Sequence, residues 1–439
     1  MHESRTIAEV LSATRWRDLP SAVVDDAQRS VLDWLGSALA GSVELPARMA
    51  QQVVRGLGVS DEATVFSSSR SSAAGAALAN GVASHILELD DVHKGSTLHP
   101  AAPVIPAALA VAEREHASGK DFLLAVVLGY EAALRIGEAV NPTHYRFFHP
   151  TGTAATFGAA VAAGSLLRLN ANQMLDALGS AGTQAAGLWE FNADGAMSKA
   201  LHPGKAAFNG VLAADLAKAG FSGATRILEG ERGFLRAFAE SHDASRITDR
   251  LASHWKISEN CYKMHSCCGH THTAIDVALE MRPRTAPGIR AIHIHTYGPG
   301  FEIVKEMNPR TPYQAKFSLA YCVAAALVKG RVGLEQFAEV DAPEIGALLA
   351  RTVVTVESDL TAKYPAAWPV RLEIVLENGE TLRGQADFPR GNPENAVSRL
   401  ALEDKFTALV GSPKAEKGLA ALHALLECRD MADAFRSLA

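Results

Sequence analysis

Apolar and small residues recur at helical spacing through most of the first 260 positions. In "DDAQRSVLDWLGSALAGS" (25–42), Val31, Leu35 and Ala38 fall on one face, and Gly41 marks a stop. The stretches 121–140, 153–168 and 207–219 repeat the pattern, with alanine and glycine throughout. Small residues let helix backbones approach closely, so a compact bundle is expected rather than a sheet. After about residue 260 the period changes to two. "IRAIHIHTYGP" (289–299) and "TVVTVES" (352–358) read as strands. "VRLEIVLENGETLRGQAD" (370–387) reads as a hairpin whose Asn378-Gly379 suits a type I′ turn. One helix, "PYQAKFSLAYCVAAALVKG" (312–330), is expected between the strands, and helical pattern returns near the C-terminus. The fold class is therefore mainly α. A large all-helical domain is expected over 1–262, a smaller α+β domain over 263–395, and C-terminal helices over 396–439 that return to the first domain.

Composition narrows the function. The chain has 439 residues, 48% hydrophobic and 21% charged, with a net charge of −6. A nucleic-acid binder would show a basic stripe, and there is no dense Lys/Arg run. No uncharged apolar run reaches the roughly 18–20 residues of a membrane span. The first twenty residues are polar and charged, unlike a secretion signal. Five cysteines, two of them adjacent, do not make a disulfide framework, so a reducing cytoplasm is the expected setting. There is no dinucleotide fingerprint, no phosphate loop and no nucleophile elbow. "HPGKAAFNG" (202–210) lacks the first glycine of a phosphate loop and the Ser/Thr after Lys205.

Polar residues inside apolar surroundings concentrate in four segments: "ELDDVHKGSTLHP" (88–100), "THYRFFHPTGT" (143–153), "MSKALHPGK" (197–205) and "CYKMHSCCGHTHTA" (261–274). The last could bind zinc through Cys267, Cys268, His270 and His272. Structural zinc sites, however, pair their ligands with a gap and repeat the pair, and no second cysteine pair exists here. A Cys–His dyad is the other thiol reading. His99, His149 and His202 sit in turns bounded by Pro or Gly, a context that supports function and simple burial about equally. For the Asp90-Asp91 pair, helix capping is the simplest reading. For Tyr321, on an apolar helix, it is a buried tyrosine with a satisfied hydroxyl.

Taken in order, "VLDWLGSALAGS" (31–42), "LDDVHKGSTLHPAAPVIPAALA" (89–110), "FHPTGTAATFGAAVAAG" (148–164), "LHPGKAAFNG" (201–210), "THTAID" (271–276), "AKFSLAYCVAAAL" (315–327) and "FPRGNPENAVS" (388–398) resemble the MmgE/PrpD family. That family includes 2-methylcitrate dehydratases, cis-aconitate decarboxylases and an iminodisuccinate epimerase. The resemblance implies a helical domain, a smaller α+β domain, an active site between them, a homodimer and no cofactor. It places His99, His149, Lys199 and Tyr321 as catalytic residues. It brings Lys263 and His272 into the substrate pocket, where Glu88, Asp91, Lys94, Tyr145 and Cys268 are expected as further substrate contacts. No metal ligand is expected. Where the decarboxylase branch carries Asp and Thr, this chain has Glu88 and Val92. Its later active-site histidine aligns with Cys268. These departures point away from cis-aconitate itself.

The residue chemistry agrees with the resemblance. A small di- or tricarboxylate needs cations to hold it, and Lys94, Lys199, Lys205 and Lys263 supply them within an acidic chain. It also needs a base beside a carbon acidified by a neighbouring carboxyl. The expected activity is that of a cofactor-independent lyase, with an epimerase sharing the same first step as the alternative. A metal-binding protein built on residues 261–272 is the competing class.

Overall fold

The computed structural model describes residues 2–58, 60–286 and 288–438. It divides into two compact units. The first comprises residues 1–86, 90–260 and 398–439, and the second comprises residues 87–89 and 261–397. The short excursion 87–89 has no signature in the residue pattern.

The first unit is helical. Its main elements are α1 (Ser21–Gly41), α2 (Ala73–His85), α3 (Ala101–Arg114), α4 (Gly119–Val140), α5 (Ala154–Leu166) and α6 (Ser198–Lys218). Helices α3, α4 and α5 are buried almost throughout, so their apolar surface is not a stripe but nearly continuous. Glycine makes this density possible. A Cβ on Gly158 of α5 would lie 2.5 Å from the Gly129 carbonyl oxygen of α4. A Cβ on Gly81 of α2 would lie 2.7 Å from the Gly204 Cα of α6, and one on Gly204 would lie 2.6 Å from the Leu78 oxygen. The α2–α6 crossing is thus a backbone-to-backbone contact. The helix Arg399–Val410 packs on α1, with Phe406 against Gly36 and the Lys405 Nζ 2.6 Å from Asp33 Oδ1.

The second unit is α+β. Strands β1 (Ile289–Thr296), β2 (Thr352–Val356), β3 (Val370–Leu376) and β4 (Thr381–Ala386) form one sheet in the order β2-β1-β3-β4. β2 runs parallel to β1, and the other pairs are antiparallel. Ile292, Ile294, Leu372 and Ile374 alternate inward and are buried. They join a core shared with helices α7 (His272–Met281) and α8 (Leu319–Lys329).

Two local expectations change. The β3–β4 connection is not a type I′ turn, because only Gly379 has positive φ, at 89°. The Gly379 amide donates to the Leu376 oxygen, and Asn378 Oδ1 accepts from the Glu380 amide. This is a type I turn followed by a left-handed glycine, the geometry of a three-residue loop. The helix expected over 312–330 is also broken, into Pro312–Lys316 and α8. Ser318 causes the break: its hydroxyl accepts from the Tyr321 amide and caps a new helix start. No helix of the described residues is long and apolar enough to cross a membrane.

The glycine crossing gives a direct test. Gly81→Ala or Gly204→Ala forces helix backbones apart and should destabilise the protein by about 1–3 kcal/mol. Gly346→Ala, on the helix Pro343–Leu349 with nothing within 4 Å of its Cβ, should be neutral or slightly stabilising. Thermal unfolding of the three variants reads the contrast.

Candidate active site

In the first unit, three helix ends and one turn bring imidazoles together. His85 is the last residue of α2 and is buried. Its Nδ1 donates to Asp90 Oδ2 at 2.7 Å, and neither side chain is exposed. His99 precedes α3; its Nδ1 donates to the Asp91 carbonyl at 2.6 Å and lies 3.6 Å from Asp90 Oδ2. A carbonyl only accepts, so Nδ1 of His99 carries the proton and Nε2 is the basic nitrogen. The ring of His85 meets that of His99 edge-on at 4.9 Å and stacks on that of His149 at 5.6 Å.

His149 is pinned by its backbone. The segment 147–149 pairs with 187–189 through the His149 amide to the Gly187 oxygen and the Trp189 amide to the Phe147 oxygen. Trp189 and Phe191 wall the His149 ring at 4.9 and 6.1 Å. Its Nδ1 meets Nδ1 of His202, in the second turn of α6, at 3.0 Å. Burial is the main force holding both rings neutral. It pushes His149 well below the usual imidazole range, helped by the neighbouring His202, His85 and Lys199. It takes His202 down to about 3. Lys199, in the first turn of α6, is buried and close enough to act on both rings. Lys205 Nζ donates to the Ala186 and Gln184 carbonyls, and burial lowers it to about 8.

Asp91 ties several elements of the first unit together. Its Oδ1 accepts from the Ala101 amide at the start of α3, and its Oδ2 accepts from Tyr130 and Asn260 at 2.6 and 2.7 Å. This matches the capping reading. Burial still raises its carboxyl to about 7 against these three donors. Tyr145 lies in a short helical turn with its ring edge-on to Trp189 at 5.0 Å, and Lys94 is half-buried.

The second unit holds the other expected residues. Lys263 Nζ is 3.3 Å from Glu88 Oε2, with both side chains buried. Glu88 has φ of 58°, the left-handed region that a non-glycine residue occupies only when its surroundings impose it. The flanking Leu87 carbonyl accepts from Ser266 Oγ and Lys316 Nζ, which fixes this turn. Histidines of the 261–274 stretch are each engaged within the protein. His265 Nε2 donates to Asp276, His270 Nδ1 bonds the Tyr297 hydroxyl at 2.6 Å, and His272 Nε2 donates to the Cys267 carbonyl. Burial takes His270 down to about 4. Cys268 begins a helical turn, its carbonyl accepting from Thr271. Tyr321 is buried, and its hydroxyl donates to the Gln336 carbonyl at 2.6 Å.

Among the described residues, two groups could offer three metal-ligand atoms, and neither lies in 261–274. In one, His85, Asp90 and His99, the His99 Nδ1 is committed to a carbonyl. In the other, His93, Glu138 and Glu259, the Lys256 ammonium already bonds both carboxylates at 3.0 and 3.2 Å. A cavity of about 890 Å³ in the first unit, lined by Arg15, His116, Arg168, Lys218 and Arg429 among others, includes none of the expected site residues.

Residues 5–247 match the MmgE/PrpD N-terminal domain and residues 265–427 the MmgE/PrpD C-terminal domain. The chain belongs to the MmgE/PrpD family. Among curated relatives, the cis-aconitate decarboxylase-like protein oryM of Aspergillus oryzae is 29% identical over 85% of this chain and 83% of its own. Cis-aconitate decarboxylase of Aspergillus terreus is 28% identical over 90% and 86%. The human cis-aconitate decarboxylase is 27% identical over 92% and 87%. This MmgE/PrpD chain thus aligns with enzymes over most of its length.

His85, Asp90, Trp189 and Phe191 were not picked out as site residues by their sequence context. His85 ends an alanine-rich helix, and only its spacing of five from Asp90 marks it.

The buried Lys263–Glu88 pair predicts a large asymmetry. Lys263→Met leaves a buried carboxylate without this partner and should cost about 3–5 kcal/mol. Adding Glu88→Gln to that variant should restore most of the loss in denaturant unfolding.

Proposed function

We propose that this protein is a cofactor-independent lyase acting on a small di- or tricarboxylate. The first step is removal of a proton from a carbon next to a carboxylate. The observation that carries the reading is the gathering of His85, His99, His149 and His202 with Lys199 inside one unit. Neutral imidazoles can accept a proton from carbon and return it to a leaving group. Lys199 supplies a charge that holds a substrate carboxylate and the negative charge that grows on it as the proton departs. Lysine in a dry site does this more strongly than in water. The likeness to cis-aconitate decarboxylases supports a polycarboxylate substrate. Glu88 and Cys268, at positions where the decarboxylase branch carries Asp and His, support a substrate other than cis-aconitate. A homodimer and a cytoplasmic setting belong to the same reading.

Proton NMR in D2O with a panel of small polycarboxylates, cis-aconitate included, tests it. Elimination is the expected outcome; decarboxylation would keep the lyase reading but make the histidines proton donors to carbon. Solvent exchange at the acidic carbon without loss of a group would make the protein an epimerase instead. Lack of any turnover or exchange across the panel would refute the reading.

His149→Ala and Lys199→Ala should each lower turnover by about two decades or more while the protein still folds, because neither empties a large apolar site. Cys268→Ser should retain most activity, since proton abstraction needs no covalent step. Loss of activity in a folded Cys268→Ser variant would restore the thiol reading of residues 261–274.

A further inference from the structure

His85 stands apart from the other rings of the cluster in one respect. Its Nδ1 is held by a carboxylate rather than by a carbonyl or another ring. Its Nε2 is buried and has no hydrogen-bond partner among the described residues. A buried polar atom without a partner in the protein is costly unless water or a ligand meets it. The atom belongs to a ring in contact with both His99 and His149.

We propose that His85 is the ring that takes the substrate proton, with Asp90 as its positioning partner; this rests on the lyase reading above. The geometry distinguishes it from its neighbours. Because Asp90 accepts the Nδ1 proton, Nε2 carries the lone pair. When Nε2 gains a proton, the resulting imidazolium faces a carboxylate that stabilises it. His99 gives its Nδ1 proton to a carbonyl at 2.6 Å and stands farther from the same carboxylate, 3.6 Å from Asp90 Oδ2. His149 has only the ring of His202. In the step itself the C–H bond breaks and an N–H bond forms at Nε2. The electron pair stays on the carbon and spreads into its carboxylate, until it forms a C=C bond while a leaving group departs from the neighbouring carbon with the pair of its own bond, or until a proton returns.

Two variants and one measurement on the unaltered protein test this. His85→Asn keeps an amide N–H that can reach Asp90 but removes Nε2. It should lower turnover by about two to four decades with KM changed far less. Asp90→Asn should lower turnover by a similar factor, because an amide can donate to Nδ1 and move the ring proton to Nε2. Turnover near that of the unaltered enzyme in folded His85→Asn would overturn the proposal. Independently of folding, 15N-histidine NMR of the unaltered protein with tricarballylate, a saturated tricarboxylate, reads which rings meet the ligand. Shifts at His85 together with His99 or His149 are expected. Shifts at His99 or His149 with His85 unmoved would overturn the role of His85 and leave the lyase reading standing. No shift at any histidine would remove both.

Discussion

The contact between Gly81 and Gly204 is the constraint on which the helical unit's site depends. It brings the α2 and α6 backbones within 2.7 Å of a would-be Cβ, closer than any side chain permits. His85 lies one turn beyond Gly81, and Lys199 and His202 lie within the preceding turns of α6. A wider crossing would separate the two sets of polar groups. Gly152 repeats the device: its would-be Cβ lies 3.1 Å from the His202 Cβ and 2.6 Å from the Ala186 oxygen. Alanine-rich helices thus gather polar groups here through what they lack. Missing side chains let ionisable ones be packed shoulder to shoulder in a dry interior.

Dryness then sets the electrostatics. Burial is the first cause of the lowered proton affinity of His149 and His202, and the neighbouring histidines and lysines act in the same direction. His149 and His202 are thereby held as neutral rings beside a buried lysine. Asp91, raised toward neutrality by the same burial, is kept useful by three donors that tie α3 and α4 together beneath it.

Much of this was legible in the residue pattern. The change of period near residue 260 marked where helices give way to strands, and the His-Pro turns marked His99 and His149. Other features were not. The turn at Asn378-Gly379 depends on which residues take positive φ, and composition alone allows both answers. The break at Ser318 is a capping decision inside an apolar run, where periodicity continues on both sides. His85 is hidden because its helix is apolar all round, so a histidine there carries no contrast. The His/Cys stretch 261–274 shows the opposite case. Its residue types suit zinc, but His265, His270 and His272 each have a partner within the second unit. Side-chain chemistry lists what a segment can bind, whereas packing decides which of those valences are already taken.

The bond between His149 and His202 joins two identical nitrogens, Nδ1 to Nδ1. Two neutral rings joined in this way share a single hydrogen. The ring that owns it must present a bare Nε2, and the other must present Nε2–H. The pair is chemically symmetric yet always polarised, one outward acceptor and one outward donor. Moving the hydrogen across the 3.0 Å gap requires the opposite exchange at the two Nε2 atoms if both rings are to stay neutral. Such a couple is a two-position toggle of constant charge, and its setting can be reversed only by a proton arriving at one end and another leaving from the other.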